Sequence, residues 1–117
     1  VTKEQISHMK LWLKALRSGE FEQTKNQLRN GSKREFCCLG VACEVYRKAT
    51  GDGLWRKGVF IIDEAGEFSA LPNTVRIWLG LDRSNPVLGT TSTAASLNDD
   101  GVSFYEIADR LERRFLA

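Results

Sequence analysis

The sequence predicts a single α+β domain over residues 1–117, about four helices packed on a small antiparallel sheet with a central β-hairpin. Three observations carry this. Apolar residues recur at helical spacing behind capping-box signals near both ends of the chain. The segment Phe36 to Tyr46 is almost unbroken in its apolar character and reads as a buried helix. Val59-Phe60-Ile61-Ile62 is β-branched and aromatic, and a turn separates it from a second apolar run. With 117 residues, 42% hydrophobic and 27% charged, the composition is far from disordered or collagen-like chain and suits one domain. A chain of this size buries about two-thirds of its unfolded surface, so the core needs no disulfide.

The first helix opens at Thr2 and Gln5, which have capping-box spacing, carries Ile6, Met9, Trp12, Leu13 and Leu16 on one face, and stops at Gly19. Lys10, Lys14 and Arg17 give it a solvated face. Residues 20–30 are polar apart from Phe21 and Leu28, consistent with a short helix or a loop. Ser32 and Glu35 repeat the capping-box spacing ahead of the second helix, the central buried element. Gly40 inside it costs about 1 kcal/mol relative to Ala, which implies close approach of another backbone. After Thr50-Gly51-Asp52-Gly53, a loop with Trp55, Arg56 and Lys57 leads to Val59–Ile62. Asp63 to Glu67 would connect this strand to Phe68-Ser69-Ala70-Leu71, forming the hairpin. Pro72 suits the start of a third helix that buries Val75, Trp78 and Leu79 and closes at Gly80. Residues 82–100 read as a long irregular loop with a short strand around Pro86-Val87-Leu88. The last helix has Ser103 as N-cap, Glu106 completing the box, and Val102 and Ile107 placed as a hydrophobic staple.

No apolar run reaches the length of a membrane span, and the N-terminus is amphipathic helix rather than a leader pattern, so an unexported soluble protein is expected. Net charge is only +2, yet it is unevenly distributed. Residues 1–60 hold 12 Lys or Arg against 6 Asp or Glu, and residues 61–117 hold 5 against 9. Lys25, Arg29, Lys33 and Arg34 form a basic stretch that would either attract an anion such as a phosphate or serve as a solvated face.

Cys37, Cys38 and Cys43 lie within seven residues and make no C-x-x-C pair. Adjacent cysteines do not suit disulfide geometry, and only His8 could supplement them as a zinc ligand. Buried free thiols are the expectation, with no metal and no cofactor. No glycine pattern matches a P-loop or dinucleotide fingerprint. Asp99 and Asp100, with Asn98, suit turn bonds into the last helix better than a catalytic dyad. Ser103 to Leu111 is similar to the first helix of a helix-turn-helix, but only six residues follow, so sequence-specific DNA reading is not expected.

Phe36-Cys37-Cys38-Leu39-Gly40-Val41 places a thiol at a helix N-terminus, where the dipole favours a thiolate. The segment resembles the nucleophile helix of the NlpC/P60 cysteine peptidases. Their catalytic histidine would fall near Gly58 and Val59, where this chain has none, and His8 lies upstream. An active Cys37 or Cys38 hydrolase, or an inactive relative of that fold, is therefore the third-ranked expectation.

Three blocks span most of the chain: Ala15 to Phe21 with Gln23, Lys25, Leu28 and Arg29; Phe36 to Cys43; and Leu97 to Phe104 continuing through Ile107-Ala108. With Trp78-Leu79-Gly80-Leu81, they resemble a family of small accessory proteins of tailed bacteriophages and prophages. The resemblance implies action in the cytoplasm of the infected bacterial host, against host defence. The leading expectation is non-catalytic sequestration of an anionic, nucleotide-derived signal. Lys25, Arg29 and Arg34 would contact phosphate and Trp55 would stack on a base, with Gln23 beside the basic stretch. Thr90, Thr91, Ser92 and Asn98 would add hydrogen bonds from the long loop. The alternative partner is a host enzyme or nuclease, blocked through a protein interface with exposed aromatics as anchors. A symmetric homodimer would supply walls that one small domain lacks.

Overall fold

The structure, a computed structural model, describes residues 1–31 and 34–117. The described residues form α1 (Lys3–Arg17), β1 (Glu22–Gln23), β2 (Arg29–Asn30), β3 (Glu35–Phe36), α2 (Cys38–Thr50) and β4 (Leu54–Arg56). They continue with β5 (Val59–Ile62), β6 (Ala65–Glu67), α3 (Asn73–Leu79), α4 (Ala94–Asp99) and α5 (Phe104–Phe115). The class is α+β. The sheet component is two three-stranded sheets, β1-β3-β2 and β4-β5-β6, where one sheet was expected.

The helices are built as the apolar spacing predicts. The α1 cap is reciprocal: Thr2 Oγ1 accepts from Gln5 N at 3.1 Å, and Gln5 Oε1 accepts from Thr2 N at 2.9 Å. Ser103 caps α5 by accepting from Glu106 N at 3.1 Å, while the Glu106 carboxylate pairs with Arg110 and Arg113. Central α2 is buried along most of its length, and α1, α3 and α4 all pack against it. Trp12 of α1, fully buried, donates its indole N–H to Cys38 O at 2.9 Å, so burying the largest side chain leaves no polar atom unpaired.

Five expectations need correction. Glu35 and Phe36 form a strand, so α2 begins at Cys38 with Cys37 as its N-cap; Ser32, the expected cap, lies outside the described residues. Residues 20–30 supply β1 and β2, held by pairing with β3 rather than by local periodicity. The β5–β6 turn is only Asp63-Glu64, both at positive φ, and the second strand is Ala65–Glu67 rather than Phe68–Leu71. Trp55 and Arg56 belong to β4, paired with β5. Within 82–100, α4 replaces irregular loop because Thr93 and Ser96 form a capping box, while Val87 makes one bridge to Thr93.

The close approach inferred at Gly40 is present. A Cβ on Gly40 would collide with Leu28 O, and that same carbonyl accepts from Cys37 N at 3.0 Å. The obstacle is backbone, which has nowhere to retreat. Gly40→Ala is expected to lower folding stability by about 3 kcal/mol, against the roughly 1 kcal/mol that Ala adds in an unobstructed helix. Urea denaturation measures it, and an unchanged midpoint would refute the contact.

Candidate functional site

Two glycines bring the sheets together. The β4–β5 turn, Lys57-Gly58, lies directly on β2. A Cβ on Gly58 would be 2.7 Å from Arg29 O, and one on Gly31 would be 2.6 Å from Lys57 C. Arg29 is paired across the first sheet with Phe36, and Trp55 across the second with Phe60. Joining the strands this way sets the Arg29 guanidinium over both the Phe36 ring, at 5.6 Å, and the Trp55 ring, at 5.4 Å. The two rings meet edge-on at 5.7 Å. Cation–π attraction to two faces holds the guanidinium in place.

The second helix contributes Glu44 and Arg47 to a cleft of about 270 Å³ that Arg34, Gly53 and Leu54 also line. Glu44 is 4% exposed. Its Oε1 accepts from Arg47 Nε at 2.8 Å and from Trp55 Nε1 at 2.9 Å, and its Oε2 accepts from Arg47 Nη2 at 2.8 Å. Burial pushes the Glu44 carboxyl up, but hydrogen bonds from Arg47 and Trp55 and the charges of Arg47 and Lys48 outweigh it, leaving it below its ordinary value. Burial, with repulsion from Arg34 and Arg47, pulls the Arg29 guanidinium below its ordinary value, and Glu44 opposes this. Arginine remains charged even so. The Nε of Arg29 is buried without a hydrogen-bond partner among the described residues. Three guanidinium groups and one carboxylate thus share one concavity.

The structure divides the expected site residues. Arg29, Arg34 and Trp55 converge in the cleft, although Arg29 lies over the indole ring that was expected to meet a base. Arg29 is half-buried, which removes it from a simple solvated face, whereas Arg34 and Lys25 are exposed. Gln23, Lys25, Thr90, Thr91, Ser92 and Asn98 are not among the residues lining the cleft. Lys33 lies outside the described residues.

Asn98 serves the fold instead of a ligand. Fully buried, its Oδ1 accepts from Gln23 Nε2 at 2.9 Å and Cys38 N at 3.1 Å, and its Nδ2 donates to Thr24 O at 2.7 Å and Asp99 Oδ1 at 3.2 Å. That fills both acceptor and both donor positions of the amide. Gln23 also donates to Val102 O at 2.8 Å, and Asp99 accepts from Asn26 N at 2.9 Å. Glu44 and Arg47 were missed because they sit in a helix read as wholly buried. Their signal was an acid in an apolar run with an arginine three residues later.

The thiols are packed as expected. Cys37, Cys38 and Cys43 are all free and buried, Cys37 accepting from Gly40 N at 3.4 Å and Cys38 donating to Ala94 O at 3.5 Å. Burial pushes the Cys37 thiol up to about 11 and the other two well above their ordinary value. A thiol whose native pKa exceeds its unfolded one stabilises the fold fully below the unfolded value, and that contribution is lost as pH rises through the native one. Folding stability should therefore decline between about pH 9 and 11. Over the neutral range, an aromatic disulfide reagent should label these cysteines only after denaturant is added. Rapid stoichiometric labelling of the native protein would contradict the buried geometry.

Among the described residues, no helix is long and apolar enough to cross a membrane, and no group of three or more His, Cys, Asp or Glu is placed to hold a metal ion. Searches of curated proteins and of solved structures find no match. A family model described as Domain of unknown function (DUF8296) matches residues 3–115, almost the entire chain. This chain is therefore a member of the DUF8296 family.

Proposed function

We propose that this protein binds a small anionic, nucleotide-derived ligand stoichiometrically, without turning it over, at the cleft between β2, β4 and α2. The observation that supports this most is the convergence of Arg29, Arg34 and Arg47 on one small concavity whose sole lining carboxylate, Glu44, is already engaged by Arg47 and Trp55. An excess of fixed guanidinium charge in a recess favours an oxygen-rich anion, and planar forks suit phosphate. Trp55 serves here as the platform that positions Arg29, with Phe36 as its second wall. Action as a phage accessory protein that withholds a host immune signal, in the bacterial cytoplasm, rests on the resemblance of the three sequence blocks. That role requires binding alone.

Calorimetric titration against mononucleotides, cyclic di- and trinucleotides and cyclic ADP-ribose isomers is the direct test. At least one should bind. Arg29→Ala should then cost about 1.5 to 3 kcal/mol of ligand affinity with the fold retained. Arg29→Lys should restore only part of it, because an ammonium cannot form the bidentate fork. No heat with any ligand, together with a host protein recovered on immobilised chain, would transfer the reading to an inhibitor acting through a protein interface.

A further inference from the structure

We propose that the cleft selects a terminal phosphate, the dianion of a phosphomonoester, over a bridging phosphodiester. This inference rests on reading the cleft as an anion site and specifies which anion. Among the described residues, Arg29, Arg34 and Arg47 bring three positive charges and Glu44 one negative, a surplus of two. A phosphomonoester concentrates about −1.5 to −2 charges on one phosphorus at neutral pH, with a second pKa near 6. A diester phosphate carries a single charge and spends two of its oxygens on ester bonds.

Size points the same way. At about 270 Å³ the cleft lies just below the usual range of roughly 300 to 1,000 Å³ for sites that enclose a drug-sized ligand. One phosphate with part of one nucleoside fits that space, whereas a cyclic dinucleotide would leave most of its surface outside. Glu44 pairs with Arg47 and repels any anion in proportion to its charge, but three guanidinium groups outweigh one carboxylate, so the attraction that remains is greater for the dianion.

Among the described residues, the charged groups lining the cleft are Arg29, Arg34, Arg47 and Glu44. The arginines keep their charge at any accessible pH, and Glu44 ionises below its ordinary range. Between pH 7.5 and 5 the titrating partner is consequently the ligand.

The experiment compares adenosine 5′-monophosphate with adenosine 3′,5′-cyclic monophosphate, which share base and sugar, using inorganic phosphate and adenosine as arms that separate the two halves of the ligand. The 5′-monophosphate should bind at least tenfold more tightly than the cyclic form at pH 7.5. That advantage should shrink severalfold at pH 5, where the second proton returns. Inorganic phosphate should compete and adenosine should not. Arg34→Asn, which suits the positive φ of 56° at that position, should weaken the 5′-monophosphate at least tenfold and the cyclic form much less, with an unchanged melting temperature. Equal or tighter binding of the cyclic form, or of cyclic dinucleotides, would overturn this inference while leaving the anion site standing. Absence of binding by every nucleotide would overturn both.

Discussion

The strand segment Leu28 to Gly31 is gripped by backbone on two sides, and most of the architecture follows from that grip. On one side, Leu28 O presses into the gap where Gly40 has no side chain and accepts from Cys37 N, fixing the start of α2. On the other, Arg29 O faces the gap at Gly58, which locks the β4–β5 turn onto the same strand. Leu28 N meanwhile donates to Phe68 O at 2.7 Å, just beyond β6. Helix, first sheet and second sheet therefore meet at three or four residues of main chain. Main-chain contacts of this kind cannot be replaced by repacking side chains, because the missing Cβ atoms define the distance.

Much of the helical part was readable because its determinants are local. Thr2 with Gln5 and Ser103 with Glu106 are short-range caps, and the apolar spacing in α1 and α5 spans several turns. Gly40 was informative because glycine within a buried helix is costly unless it makes room. The strands between residues 22 and 36 could not be read in the same way. Each is two residues long, too short to show alternation, and β1 and β3 pair in parallel between positions thirteen residues apart in sequence. The six-residue α4 carried only a Thr93-Ser96 box within a stretch rich in turn formers. Its buried Asn98, which resembles a loop residue in sequence, becomes the polar hub that ties α4 to β1 and the first turn of α2.

Half of the cleft was visible as composition and half was not. Arg29 and Arg34 stood out as basic residues, and Trp55 as an aromatic beside further cations. What sequence alone could not show was that Phe36 would face Arg29 across a strand pair, or that α2 would turn Glu44 and Arg47 toward the same space. Burying Glu44 among arginines resolves two costs at once. An isolated buried carboxylate would be expensive, and three adjacent guanidinium groups would repel one another. Among the described residues they form a recess that is still positive in net charge, with Arg29 over two rings and Glu44 bonded to Arg47 and Trp55.

The proposed binding of an anion turns on the charges that the recess holds near neutral pH. Guanidinium groups stay protonated, so the three arginines can stabilise charge but not accept a proton. Glu44, drawn below the ordinary carboxylate range by Arg47 and Trp55 despite its burial, has no proton to donate. The single histidine of the chain, His8, is stacked on Trp78 at 3.9 Å with its Nδ1–H donated to Trp78 O at 2.8 Å, between α1 and α3. The thiols are buried and raised by that burial, and none is among the residues lining the cleft. The groups described around the recess supply positive charge held over two aromatic rings, and that arrangement supports the proposed retention of an anion.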